Sequence, residues 1–165
     1  MLELTVEDLD HQGRGVARHD GMVVFVPGAL PGETVRARVQ HRGRRHWLAS
    51  LDTVLHPSPE RQRPACILAD HCGGCSLQHL SLQGQRQWKE GRLHETLRRL
   101  GGLEAPVQPL GADGPALGYR NRAVIPLERL PDGRLRAGFY RRGSHRIVNM
   151  NRCPVLDPRL DRLIA

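Results

Sequence analysis

Cys66, Cys72, Cys75 and Cys153 are the only cysteines of this chain, and their spacing carries its clearest chemical meaning. Three follow one another as C-x5-C-x2-C, and the fourth lies far downstream with Pro154 directly after it. Sulfurs this close cannot each enter a separate disulfide. The acidic, polar start MLELTVEDLD is not an export signal, so a reducing cytoplasm is expected. A compact trio of thiols with one remote partner points to a four-sulfur metal site. Two occupants compete for it. Zinc takes four thiolates tetrahedrally, but its structural sites usually arrive as two C-x2-C knuckles, and here there is one. A [4Fe-4S] cube accepts three ligands from one loop and a remote fourth, which in bacterial ferredoxin runs is a Cys-Pro. The spacing favours the cube and keeps zinc as the alternative. Gly73 and Gly74 inside the knuckle let backbone wrap closely and aim N–H groups at sulfide. A site closed by four sulfurs has no open position. Its expected work is therefore structural, stapling the loop 66–75 to the segment at Cys153.

The rest of the sequence must supply elements that hold those sulfurs. A chain of 165 residues with 39% apolar content suffices for one ordinary domain or two small ones. No stretch approaches the roughly 18 uninterrupted apolar residues of a membrane span. Residues 2–55 read as five short strands punctuated by glycine and proline turns. Val35, Ala37 and Val39 alternate with Arg36, Arg38 and Gln40, which puts one face in a core and the arginines outside. Five such strands suggest a small closed barrel of the OB type. The expected fold class is mainly β with some α: an OB-like barrel over residues 1–57, then an incomplete α+β central domain over 58–165 carrying the four-cysteine site. His56–Pro64, with three prolines, reads as a linker. A helix is predicted over Leu80–Leu100, with Trp88 and Leu93 facing inward beside Leu97 and Leu100, and with Gly101-Gly102 as the stop. Three strands are predicted beyond residue 118, in RAVIPL, GRLRAGFY and HRIVNM, with Pro131-Asp132-Gly133 as a hairpin turn. DPRLDRLIA starts another helix.

Charge suggests the partner. The net charge is +8, carried by 24 arginines and the single Lys89 against 17 acids. Residues 1–57 are neutral overall, so the second part holds the excess. Between 118 and 152, nine arginines face only Glu128 and Asp132. A second cluster, Arg36, Arg38, Arg42, Arg44 and Arg45, has no acid among it and predicts a basic hairpin. Both imply a polyanion. This charge argues against an electron-transfer ferredoxin, which would present acid to its redox partners. Aromatics are only 4%, so few bases can be stacked. The segment GRGVAR lacks the third glycine and long helix of a dinucleotide site. His79 and His145 are read as hydrogen-bonding or RNA-contact residues, since four thiolates already satisfy a metal.

Five stretches together carry a resemblance: GMVVFVPGALPGETV, PSPERQRPAC, CGGCSLQHLSLQGQRQWK, GYRNRA and FYRRGSHRIVNMNRCPVLDP. They resemble the RNA uracil-5-methyltransferases of the RumA/TrmA type, which methylate ribosomal RNA. The likeness implies an N-terminal TRAM barrel, a central domain with a [4Fe-4S] cluster on Cys66, Cys72, Cys75 and Cys153, and RNA as the partner, most plainly ribosomal RNA. It implies that Tyr119, Arg120, Asn121 and Arg122 lie near RNA, with Arg36, Arg38, Arg44, Arg45, Arg141 and Arg142 as further phosphate contacts. A monomer is expected. The family uses S-adenosylmethionine on a further domain, adds a cysteine thiolate to C6 of uracil, and removes the C5 proton with help from an acid. In this chain every cysteine is committed to metal and no cofactor domain is evident, so it is expected to be inactive alone, as a fragment or a truncated product. The competing reading is a stand-alone RNA-binding module with a structural metal and no catalysis. A radical methylthio-transferring enzyme, which also pairs a TRAM module with a cluster, needs an open iron held by three cysteines at another spacing.

Overall fold

The computed structural model describes residues 1–111 and 114–164; Ala165, the last residue of the expected central domain, lies outside the described residues. Five strands, β1 (Leu2–Leu9), β2 (Arg14–His19), β3 (Met22–Pro27), β4 (Thr34–Arg42) and β5 (His46–His56), close into a barrel in the order β1-β2-β3-β5-β4. Every pairing is antiparallel except β3 with β5, which runs parallel from Val23 opposite His46 to Phe25 opposite Leu48. Closure leaves no free edge for another chain to pair with. Alternation along each strand sends Leu4, Val6, Ala17, Val24, Val26, Val35, Ala37 and Ala49 into the interior. The β2–β3 hairpin is set by Asp20 and Gly21, with φ of 48° and 77°, the left-handed pair that a tight two-residue turn demands. Because Val24 is fully buried, Val24→Ala should cost about 2 kcal/mol, at ~0.8 kcal/mol per methylene removed plus the cavity left. Urea unfolding of the variant measures this directly.

The helix α1 (Leu82–Gly101) begins where Ser81 accepts a hydrogen bond from the Gly84 N–H at 2.9 Å, and it stops at Gly102 with φ 62°. Its expected inward stripe is only half there: Trp88 and Leu97 are half-buried. Leu93 is 51% and Leu100 85% exposed, because a helix this polar buries only what its neighbours reach.

The chain divides into two compact units: residues 1–62 with 79–110, and residues 63–78 with 111–164 as far as described. In the second, β6 (Leu127–Arg129) and β7 (Leu135–Ala137) form a two-stranded hairpin around the Pro131-Asp132-Gly133 turn. The other expected strands fall short. RAVIPL is strand only at Leu127, since Pro126 has no N–H to give and Val124 is 80% exposed. HRIVNM makes a single bridge, Ile147 with Tyr140, besides hydrogen bonds from Val148 N to Phe139 O and Met150 N to Ala137 O. The expected terminal helix is one turn, α2 (Pro158–Asp161), capped by Asp157. The core of this unit is Met150, Cys153, Val155 and Leu156, with Leu68, Cys75, Ala123, Ile125 and Phe139 against it. Among the described residues no helix is long and apolar enough to cross a membrane.

Candidate metal centre and nucleic-acid surfaces

All four cysteines line one small cavity in the second unit, walled by Leu68, Phe139, Met150 and Val155. No disulfide links them. Cys153 is 8% exposed and the other three are partly exposed. Burial pushes the Cys66 thiol above its ordinary pKa, and the nearby Cys153, Cys72 and Cys75 push the same way, against a hydrogen bond from the Leu68 N–H. Four cysteine sulfurs sharing an apolar pocket are soft donors suited to a thiophilic metal. Among the described residues, no group of three or more His, Cys, Asp or Glu side chains is arranged to hold a metal ion.

Short hydrogen bonds fix the peptide of each segment. The Cys66 N–H donates to Gln78 Oε1 at 3.1 Å, and the Cys153 N–H donates to Asp161 Oδ1 at 2.5 Å. Within the knuckle the Gly74 N–H donates to Cys72 Sγ at 3.4 Å, and the Gly73 N–H donates to Tyr140 O at 2.8 Å. A Cβ on Gly73 would stand 2.8 Å from that same carbonyl, so close pairing with the 139–142 segment requires glycine. Gln78 and Asp161 carry no signal in the sequence. No motif marks a residue that acts only by holding a backbone N–H.

The predicted nucleic-acid residues fall into distinct settings. On the barrel, Arg36 and Arg38 point outward from β4, and Arg44 and Arg45 stand exposed at the β4–β5 turn, which makes the basic hairpin real. Arg42 stacks over the Trp47 ring at 4.6 Å. In the second unit Tyr119, Asn121, Arg122 and Arg141 are exposed. Arg120, half-buried, and Arg142, also exposed, make further contacts within the unit. Arg120 lines the cysteine cavity and its backbone pairs with the Val155–Leu156 segment. The Arg142 guanidinium donates to the carbonyls of Cys72 and Cys75. Of the other arginines in the basic run, Arg134 pairs with Asp132 and Arg136 with Glu128, which lowers the free charge there. His145 packs edge-on against Tyr140, with centroids 5.4 Å apart.

One charged group has a role that its sequence does not announce. Glu33, fully buried in the barrel unit, accepts from Leu30 N at 2.8 Å, Ser58 N at 3.2 Å and Arg61 Nη2 at 2.8 Å, while Arg61 Nη2 also donates to Gly28 O at 2.7 Å. The stretch expected to be a loose linker is thus pinned to the barrel at Ser58 and Arg61. The only sequence cue was a lone acid inside the otherwise uncharged run GALPGETV.

Comparison with known proteins places this architecture. Residues 1–44 match the TRAM domain. A protein of Parasynechococcus marenigrum named an uncharacterized RNA methyltransferase is 56% identical over 163 residues, covering 99% of this chain and 35% of that relative. The 23S rRNA (uracil(1939)-C(5))-methyltransferase RlmD of Halomonas elongata is 47% identical over 164 residues, covering 98% of this chain and 34% of that one. Among solved structures, the tRNA (uracil-54, C5)-methyltransferase of Pyrococcus abyssi in complex with S-adenosyl-L-homocysteine superposes with a TM-score of 0.63 at 28% identity, over 97% of this chain and 34% of that one. The chain spans about a third of the length of the curated relatives it matches. Its barrel, its sequence and its backbone agree: this chain carries a TRAM domain and is similar over nearly all of its own length to proteins named RNA methyltransferases.

Proposed function

We propose that this chain is the RNA-gripping, [4Fe-4S]-carrying portion of an S-adenosylmethionine-dependent methyltransferase acting on C5 of a uracil in ribosomal RNA. The observation that carries it is the meeting of three loop cysteines and the remote Cys153 at one apolar cavity, in a chain homologous over its length to RNA methyltransferases. The donor set fits the cube. Thiolates are its ligands, and all four cysteines of the chain line the same apolar cavity. When bound, the cluster supplies four iron–thiolate bonds that cross-link distant parts of the chain. Cys66, Cys72 and Cys75 would hold three corners and Cys153 the fourth, with Gln78 and Asp161 steadying the peptides of Cys66 and Cys153. All four cysteines are then ligands. The thiolate that adds to C6 of uracil comes from elsewhere in the whole protein. Use of S-adenosylmethionine is supported by the S-adenosyl-L-homocysteine bound in the Pyrococcus abyssi relative, and a ribosomal substrate by the higher identity of the 23S rRNA relative. The functional parts on this reading are the TRAM barrel, residues 1–57, and the cysteine-bearing remainder, working as a monomer in the cytoplasm.

Purification without oxygen tests the metal. The expected product is brown, with iron and sulfide in equal amounts, about four of each per chain. Colourless, zinc-loaded protein overturns the cluster. RNA engagement is tested by titrating a ribosomal RNA fragment across salt. Exposed Arg36, Arg38, Arg44, Arg45, Arg122 and Arg141 should give affinity that falls steeply as salt rises. Replacing Arg36, Arg38, Arg44 and Arg45 together by Gln should shallow the log–log salt slope by about 0.7 for each single-strand phosphate that is no longer neutralised. A slope identical to that of the parent removes the barrel from the RNA track.

A further inference from the structure

We infer that Arg142 is a positioning residue of the metal centre rather than an RNA contact, a reading that rests on the cluster proposed above. Its side chain, although exposed, reaches back to the knuckle. Nη2 donates to Cys75 O and Nε lies 3.5 Å from Cys72 O, so one planar fork spans the two carbonyls that flank Gly73 and Gly74. The backbone around it is held there too. Arg141 bridges Cys72 in antiparallel register, the Gly73 N–H donates to Tyr140 O, and a Cβ on Gly73 would also lie 3.3 Å from Arg142 N. A Cβ on Gly74 would meet the Phe139 ring at 3.3 Å and Cys72 Sγ at 3.4 Å. Residues 139–142 thus form a template against which the knuckle is moulded, and the guanidinium locks it at both cysteine ends.

Two physical consequences follow. The fork ties the Cys72 and Cys75 carbonyls to one another before any metal arrives, which lowers the ordering cost of binding. It also sets a permanent cation beside a site that carries net negative charge once four thiolates bind, and Arg has no accessible neutral form. Removing the cation makes adding an electron to the cluster harder. The adjacent Arg141 is the built-in control: its guanidinium has no carboxylate or carbonyl partner among the described residues, so its charge is available to phosphate.

The test compares Arg142→Gln, Arg142→Lys and Arg141→Gln in protein prepared without oxygen. Three readouts are taken: the rate of iron loss to a chelator by absorbance, the reduction potential, and affinity for a ribosomal RNA fragment. Arg142→Gln should release iron at least tenfold faster, within the range typical of residues that orient metal ligands, and should shift the potential to more negative values. Arg142→Lys should restore the potential but not the retention, since it returns the charge without the fork. Arg141→Gln should weaken RNA binding and leave the cluster untouched. If parent protein holds iron and Arg142→Gln matches Arg141→Gln in all three readouts, the positioning role is overturned. A parent protein without iron instead brings down the cluster reading, and this inference with it. Should Arg142→Gln take up no cluster at all, the lysine variant decides: retention equal to that of the parent refutes the fork, and faster loss supports it.

Discussion

Cys153→Ser is expected to abolish iron retention and to unfold residues 63–78 and 111–164 while the barrel unit survives. The serine hydroxyl is nearly isosteric with the thiol, so packing alone does not predict collapse. On the cluster reading proposed above, what is lost is one of four iron–sulfur ties. The second unit has little else to hold it: a two-stranded hairpin of three residues a side, a one-turn helix, and a core of Met150, Cys153, Val155 and Leu156 with a few partly buried neighbours. A lone two-stranded hairpin is marginal in water, and a segment this short of buried apolar area depends on a metal or similar cross-link. The loop 66–75 and the segment at Cys153 are brought together by the cavity the thiols line, with Arg142 and the Gly73–Tyr140 hydrogen bond adding only local support. Limited proteolysis followed by mass measurement reads the outcome. Cleavage confined to the second unit, with a protease-resistant barrel, is the expected pattern, and iron analysis should fall to background. A Cys153→Ser protein with full iron content and an unchanged proteolytic pattern would show that three sulfurs suffice and that the staple is not what holds this unit.

The barrel was legible in the sequence because its information is local. Alternation at Val35, Ala37 and Val39 and the turn residues between strands are properties of adjacent positions, and the Arg-rich tip around Gly43 follows from them. The stop of α1 at Gly101-Gly102 was legible for the same reason, whereas its start lies two residues later than the expected Leu80, because Ser81 acts as the cap. The buried face of α1 was legible only in part. Which side of a helix faces a neighbour is decided by partners distant in sequence, and Leu93 and Leu100 turned out exposed. The predicted strands HRIVNM and most of RAVIPL fell short because Pro126 has no N–H for a ladder, Val124 is exposed, and Ile147 makes only a single bridge, to Tyr140. For the candidate site, spacing alone named the four cysteines, as a trio on one loop must share a partner. The residues that hold them, Gln78, Asp161 and Arg142, act through backbone groups and leave no pattern in a single sequence. Arg142 counted as one more charge in a basic run, and only the structure shows that its exposed guanidinium also reaches back to the Cys72 and Cys75 carbonyls.

Removing the Glu33 carboxylate should destabilise the barrel unit by about 3–5 kcal/mol, the usual cost of leaving one member of a buried ion pair without its partner. The loss has three parts. Arg61 keeps only Gly28 O for its guanidinium, the buried Leu30 N–H loses its acceptor, and the Ser58 N–H loses the bond that pins the chain leaving β5. Glu33→Gln preserves shape and one acceptor oxygen, so it separates charge from volume; it should recover part of the loss but not all. Pairing Glu33→Leu with Arg61→Met removes both charges, and should restore more stability than either single change permits. Acid supplies an independent test of the same group. Burial by itself would raise the Glu33 pKa, but the hydrogen bonds from Arg61, Leu30 and Ser58 outweigh it and hold the carboxyl below its ordinary value of 4.5. Protons therefore bind the unfolded chain more readily than the folded one. The stabilisation from Glu33 is fully present above that ordinary value and is lost as pH falls through the lower folded pKa. The parent barrel should weaken progressively below about pH 4.5, and in Glu33→Gln that portion of the acid sensitivity should disappear. Urea titrations of both proteins at neutral pH and at pH values below the carboxylate range make the comparison. Equal stability at neutral pH and parallel acid profiles would mean that the buried pair contributes nothing net, and that Ser58 and Arg61 lie against the barrel for packing alone.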